Sequence, residues 1–385
     1  MSNAGGEIMA IIAMIVTNAC DPDPRVERAA KWLVEEGHEV LIHAFDRSQS
    51  SPKSSEKNGF TIIRHQLGDI PYGGMVKTAF GLRKFCRKVI STLIKSPPDL
   101  VYCHDADTLK VGISLRKHHS VPFIFDMHDL AHTWVLMPAP KSIIRKLLSR
   151  IMLKQMLRRA ILAEQIITSS GADDGHDHPG FKQWLSARGF ESTVVENRPT
   201  ATIALPLSQE SDWRVAHIGR LRDLKSIELL VDAIMLMPIA ERPSISIAGE
   251  GTKAQKIKSL LQKLQDSGNI NVEINGRFNQ NELGEILAEV NVMFAMYNPM
   301  RGNIKEGALP VKMFDAAAHG IPSIVNSNSL MGDICTKEDL GLAIEWNNPE
   351  ALKNALITLK QERVKLERTS TNEKDKFVTV FSDLF

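Results

Sequence analysis

Two segments of the 385-residue chain bring together residue types suited to holding a diphosphate. In the first, Gly219 to Ser226 (GRLRDLKS), a strand-like apolar run enters a glycine and is followed by Arg220 and Lys225. A glycine directly after a strand lets the backbone turn tightly toward a ligand, and two cations just beyond it can grip a diphosphate. In the second, Ala308 to Val325 (ALPVKMFDAAAHGIPSIV), a Pro-x-Lys carries Lys312 into a helix with Asp315 near its start and closes on His-Gly-Ile-Pro and another strand. Upstream, FIFDMHDL (Phe123 to Leu130) ends a strand with Asp126, His128 and Asp129, and LVYCHDADTL (Leu100 to Leu109) ends another with His104, Asp105 and Asp107. A buried strand should read as apolar, so these polar clusters predict strand tips that surface at a ligand site. For His128 alone, a satisfied core histidine beside a capping aspartate is the competing reading.

The elements that must position these residues alternate between strand and helix, which predicts parallel sheets covered on both faces. The chain, 43% hydrophobic, is too long for one ordinary core. An α/β protein of two doubly wound, Rossmann-like domains facing each other across a cleft is therefore expected. Met9 to Val16 reads as the first strand, too short to span a membrane. Asp23-Pro24 starts a helix, with an N-cap carboxylate and proline at the first helical position, and Gly37 stops it. Further strands are expected at Glu39–Phe45, Thr61–Arg64, Leu100–Cys103, Phe123–Asp126 and Gln165–Thr168, with helices over Met75–Lys95 and Lys141–Leu162. The pattern weakens after Pro199, so residues 1–198 form the first domain, 199–212 a linker and 213–367 the second domain. A last helix at about 368–385 is expected to pack back on the first domain. In the second domain, strands at Arg214–Ile218, Ser244–Ala248, Asn271–Ile274, Val292–Ala295 and Ser323–Val325 alternate with helices, including Asn279–Glu289 and Val311–His319. Ligands in such sheets bind beyond the carboxyl ends of the strands. Ser2-Asn3-Ala4 reads as a remnant of cloning and carries no fold argument.

DPDPRVERAAKWLVEEGHEVLIHA, VYCHDADTL, VPFIFDMHDL, VVENRP, HIGRLRDLKSIELLVDAI, SISIAGEG and PVKMFDAAAHGIPSIV occur in the order seen in retaining glycosyltransferases of family 4. The chain resembles these group 1 enzymes of the GT-B fold over about residues 9 to 360. The resemblance implies a hexose-type sugar moved, with retention, from a nucleoside-diphosphate donor to an acceptor hydroxyl, in cell-surface polysaccharide or glycolipid synthesis. It places Arg220 and Lys225 on the donor diphosphate, with Gly219, Arg277 and Lys312 completing the donor site, and it calls for no metal or other cofactor. His128 falls beside the transferred sugar, Glu196 and Asn197 in a loop lining the cleft, and Asp315 where the family has a ribose-binding glutamate. The family also separates two glutamates by seven residues; counting back from Asp315 that place is Gly307, and Glu306 stands one residue early. This departure, with Asp315, leaves a catalytically impaired binding homologue as one alternative; a sugar-nucleotide epimerase, which shares the architecture and the kind of nucleotide site, is the other.

Other signals are weaker. Gly249-Glu250-Gly251 with Ala254 and Glu273 imitates a dinucleotide fingerprint, but its strand comes second in the domain. Asp21-Pro22-Asp23 and Asp105-Ala106-Asp107 imitate a metal-binding Asp-x-Asp and read better as a helix cap and a strand tip. His176-Asp177-His178 reads as a mobile loop. Four scattered cysteines without metal spacing predict reduced thiols and a cytoplasmic protein. The net charge of +2 hides a basic first half. Helices 75–95 and 141–162 carry many cations and no acid, which predicts peripheral contact with the inner face of a membrane and a glycan or lipid-linked acceptor. The bland alternative is a helix with its apolar stripe on the sheet and a solvated basic face. Sparse aromatics argue against nucleic acid.

Overall fold

The computed structural model describes residues 9–68, 75–137, 140–199, 213–278 and 282–385; the expected linker beyond Pro199, the start of the Asn279–Glu289 helix and Ser2-Asn3-Ala4 lie outside them. The chain divides into two compact units. Unit 1 comprises residues 1–169, 184–196 and 373–385, and unit 2 comprises 170–183 and 197–372.

Unit 1 holds an eight-stranded sheet: β1 (Ile11–Val16), β2 (Glu39–Phe45), β3 (Ser54–Lys57), β4 (Phe60–His65), β5 (Leu100–His104), β6 (Phe123–Met127), β7 (Gln165–Thr168) and β8 (Thr193–Val194). The order is β3-β4-β2-β1-β5-β6-β7-β8, parallel except for the β3–β4 hairpin. Its central strands are buried on both faces, as the apolar runs of β1 and β6 require. Asp23 caps the helix Pro24–Glu35, its carboxylate accepting from Val26 N at 3.3 Å, and Gly37 ends it at φ 87°. The C-terminal helix Ser370–Ser382 sends Phe377, Val380 and Phe381 into this core with Trp32 and Tyr102.

Unit 2 holds a six-stranded, all-parallel sheet: β9 (Arg214–Ile218), β10 (Ser244–Ala248), β11 (Val272–Asn275), β12 (Val292–Phe294), β13 (Ser323–Asn326) and β14 (Gly341–Ile344), in the order β11-β10-β9-β12-β13-β14. The sequence expectation ended this sheet at β13. The added strand opens on Gly341, a residue type read as loop, because β14 lies so close to β13 that a Cβ there would stand 2.0 Å from the Ser323 carbonyl oxygen. Edge strands β3 and β8 were likewise unexpected, being short and without an apolar alternation.

Both sheets have the doubly wound, Rossmann-like order, whose direction of winding reverses between β1 and β5 in unit 1 and between β9 and β12 in unit 2. Loops diverge at such switch points and leave room for a ligand.

Candidate functional site

In unit 2 the polar residues collect at the β9/β12 switch point. After β9 the chain turns through Gly219 at φ 113°, where an added Cβ would meet nothing, so glycine answers to backbone conformation alone. The neighbouring loop after β10 fits against it: Gly219 N donates to Ala248 O (2.8 Å) and Leu221 N to Glu250 O (3.0 Å). A Cβ on Gly249 would lie 2.0 Å from Gly219 O, and one on Gly251 2.3 Å from Leu221 O. The glycines that imitate a dinucleotide fingerprint thus have a structural cause: they let one loop brace the other.

Beyond this turn Asp223 caps the helix Leu224–Met235, accepting from Lys225 N at 3.1 Å, while the side chains of Arg220 and Lys225 are exposed. A cation in the first turn of a helix opposes the macrodipole, at a cost of about 0.3–1 kcal/mol unless an anion joins it. The pattern repeats in the helix Val311–Ala318, whose first turn carries Lys312 and no acid. The Lys312 Nζ lies 3.3 Å from His217 Nε2 of β9 and 5.0 Å from the Tyr297 ring centroid, with Arg301 packed on the same ring. Burial, and then Arg301, push the Lys312 ammonium down to about 7. Burial and Lys312 drive His217 well below its ordinary value, so its imidazole is neutral, with Nδ1 3.2 Å from Phe294 O. Asn326, at the end of β13, ties down Tyr297 by bonds to both its amide and its carbonyl. Asp315, one turn beyond Lys312, is half-buried.

The structure therefore gathers Gly219, Arg220, Lys225, Lys312 and Asp315 at the carboxyl ends of the central strands of one sheet. Arg277, exposed after β11, stands farther out, beyond β10. Glu306 is half-buried at the C-cap of the short helix Gly302–Lys305. The next residue, Gly307, has φ 92°, and a Cβ there would lie 2.2 Å from Pro179 O, so that position itself is built for glycine. His217, Tyr297 and Arg301 were missed, although a histidine two residues before Gly219 in an apolar strand is a visible signal.

In unit 1 the strand tips form a buried network. Neighbouring register places His104 of β5 beside Asp126 of β6, and Tyr102 shares their face of the sheet. Asp126, 1% exposed, accepts from the Tyr102 hydroxyl (2.8 Å) and pairs with His104 Nδ1 (2.9 Å) and His128 Nε2. Burial favours its protonation, but His128 and His104 outweigh that and hold the carboxyl well below the usual range. Burial, and then Arg25, lower His128, so the pair is a carboxylate with a neutral imidazole. Asp105, at φ 62°, accepts from His128 N (3.3 Å) and faces Arg25 at 3.7 Å; Asp129 accepts from the Trp134 indole (2.8 Å). The expectation that this whole cluster surfaces needs correction. Asp126 and His104 are interior, and His128, paired with Asp126, has a side chain only 8% exposed.

Other expectations are also corrected. Glu196 is buried, its amide donating to Glu373 Oε2 at 2.9 Å, instead of lining an open loop. Next to it Arg198, fully buried, forms a bidentate pair with Glu338 (2.6 and 2.7 Å) over the Phe314 ring. His178 is anchored, its ring and amide both bonded to Asp333. Among the described residues no three His, Cys, Asp or Glu come together as a metal site, and the four cysteines are buried and unpaired with one another.

Residues 22–173 match the family model of a glycosyl transferase 4-like domain, and residues 213–362 that of glycosyl transferases group 1. The chain belongs to the glycosyltransferases of the GT-B fold. It is similar in structure to sucrose-phosphate synthase from Thermosynechococcus elongatus (TM-score 0.69, 16% identity, 97% of this chain and 96% of that one). It also resembles Anabaena HepE in complex with UDP-glucose (TM-score 0.65, 13% identity, 97% and 99%). A third similar structure is the catalytic domain of starch synthase IV from Arabidopsis thaliana, bound to ADP and acarbose (TM-score 0.61, 13% identity, 98% and 99%). No curated protein matches the sequence.

Proposed function

We propose that the protein moves a hexose-type sugar from a nucleoside-diphosphate donor to an acceptor hydroxyl with retention, in cell-surface polysaccharide or glycolipid synthesis. Unit 2 holds the donor and unit 1 the acceptor. The observation that carries this reading is the pair of helices at the β9/β12 switch point, each with a lysine, Lys225 and Lys312, in its first turn. Two positive helix ends and two ammonium groups around one glycine turn form a seat for a dianion. The similar structures that hold UDP-glucose or ADP support a nucleotide donor.

In the proposed reaction the bond from the anomeric carbon to the diphosphate breaks, its electron pair leaving on the diphosphate. The acceptor oxygen takes its place and its proton departs with the leaving group. Arg220, Lys225 and Lys312 neutralise the growing negative charge, the part a divalent metal would otherwise play. His128, kept a neutral imidazole by burial and Arg25 and held in place by Asp126, is assigned to a sugar hydroxyl on the family resemblance. The displaced Glu306, and Asp315 in place of a glutamate, favour one second reading: a homologue that binds the donor without transferring from it.

Thermal-shift titration with UDP, GDP and ADP, each with Mg²⁺ and with EDTA, tests the donor site. A ligand at 100 times its Kd stabilises the native state by about 2.7 kcal/mol. Stabilisation by one nucleoside diphosphate in EDTA supports the proposal; no response to any refutes it. Binding without transfer to any acceptor, and without donor hydrolysis, selects the second reading. Conversion of the donor sugar with no acceptor present would mark an epimerase.

A further inference from the structure

Three helices of unit 1, Met75–Leu93, Leu109–His119 and Ile143–Ala160, lie side by side, the middle one packed on β5 and β6 and against both neighbours. Together they carry 14 Lys and Arg and not one Asp or Glu. The bland expectation for such helices, an apolar stripe turned inward, holds for Met75–Leu93, which buries Phe85, Val89 and Leu93, and fails in Ile143–Ala160. Helix Ile143–Ala160 buries Ser149, Met156 and Ala160, while Ile143 (82% exposed), Ile144 (78%), Leu147 (58%) and Ile151 (45%) face solvent on the opposite side. At helical spacing Arg150, Lys154 and Arg158 fall on that same outer face. Helix Met75–Leu93, for all its buried stripe, also leaves Val76 (79%) and Phe80 (69%) exposed beside Arg83, Lys84 and Arg87.

We propose that this helix layer is a docking surface for an anionic bilayer. Aliphatic groups interleaved with cations suit the boundary between lipid headgroups and acyl chains, where each cation near the surface strengthens partition about five-fold at low salt. A second copy is a poor occupant, because a two-fold pair would set this acid-free face against itself. Nucleic acid would leave the isoleucines and leucine without an apolar partner. Of the acids at the rim, Glu164 is paired with Arg116 at 2.8 Å, and Asp107, half-buried at the start of the middle helix, lies near Lys110 and Arg159. Among the described residues no helix is long and apolar enough to cross a membrane, so the contact is one of lying on the surface.

The test is co-sedimentation of the full chain with vesicles of phosphatidylcholine alone and with one third phosphatidylglycerol, across a salt series. The expected result is binding to the anionic vesicles at least tenfold tighter than to the neutral ones and weakened by salt. It should fall at least tenfold in both Ile144→Asp/Leu147→Asp and Arg150→Glu/Lys154→Glu, with unchanged thermal midpoints. No binding to anionic vesicles overturns the proposal. So does undiminished binding by the aspartate pair, which marks mere adhesion of charge, and so does a wild-type dimer that the aspartate pair dissociates. The readout is independent of the donor assignment, since nucleotide-induced stabilisation fails or succeeds separately from vesicle binding.

Discussion

If Lys312 holds the donor as proposed, donor affinity should depend on pH. Its ammonium is pushed down to about 7 by burial and Arg301, and it lies where the proposed diphosphate binds. The donor's negative charge favours the protonated form, so binding draws a proton onto Lys312. The sign follows: affinity is complete below about pH 7 and falls as pH rises through it, tenfold per unit, until the bound-state value is reached. Between about pH 6 and about pH 8.5 the loss is roughly thirty-fold. A nucleotide sugar is the right ligand, because its phosphates lose no proton over this range, whereas a free diphosphate does. Isothermal titration in two buffers of different ionisation enthalpy would count the protons directly, with uptake near one half at pH 7 and near one at pH 8.5. Lys312→Met should bind more weakly at low pH and lose the dependence, and Lys312→Arg should flatten it. An affinity constant across the range in the native protein, with no proton uptake, would refute the reasoning.

Lys225→Ala, an exposed change, should lower sugar transfer tenfold or more without moving the thermal midpoint; unchanged transfer would remove the lysine from the diphosphate site. Asp126→Asn takes the anionic acceptor from Tyr102, His104 and His128 in a buried setting and should cost about 1–3 kcal/mol, measured by denaturant unfolding. Gly249→Ala forces a Cβ to within 2.0 Å of Gly219 O at φ 132° and should both destabilise unit 2 and abolish donor-induced stabilisation. The buried pair His43 and His65, 3.0 Å apart, is pushed down to about 4 at each ring, first by burial. The unfolded chain takes up these protons near pH 6.5, so stability is full above that value. It should fall by up to about 1.4 kcal/mol per unit per histidine toward pH 4, and a denaturant midpoint equal at pH 7 and pH 5 would contradict this.

The alternation of apolar runs and capped helices made the doubly wound sheets legible, because each central strand is buried on both faces and so reads as a continuous apolar run. Strand β14 was not legible, since the glycine that marks its close approach to β13 looks like a turn in sequence. The cationic part of the proposed donor site was visible in Arg220, Lys225 and Lys312, residue types that a folded core does not call for, and in Gly219 before them. Tyr297 and Arg301 were not, for they follow β12 in a loop with no regular period and come to Lys312 only through the fold. At the tips of β5 and β6 the residue types were visible but their burial was not. Only the register of Tyr102 and His104 with Asp126 shows that three donors converge on one carboxylate.

The last helix has a consequence for the order in which the protein comes into being. Phe377 and Phe381 stack near Trp32 and Tyr102, with ring centroids 5.2 Å apart for Trp32–Phe377 and 5.3 Å for Tyr102–Phe381. Unit 1 begins the chain, yet its core is closed by residues 373–385. During synthesis the whole of residues 197–372 must leave the ribosome before that core is complete, so unit 2 has its full sequence first. A nascent chain halted in unit 2 would present Tyr102, the same side chain that donates to Asp126, without its aromatic cover. The strand tip beside His128 is therefore covered only after residues 373–385 have been made.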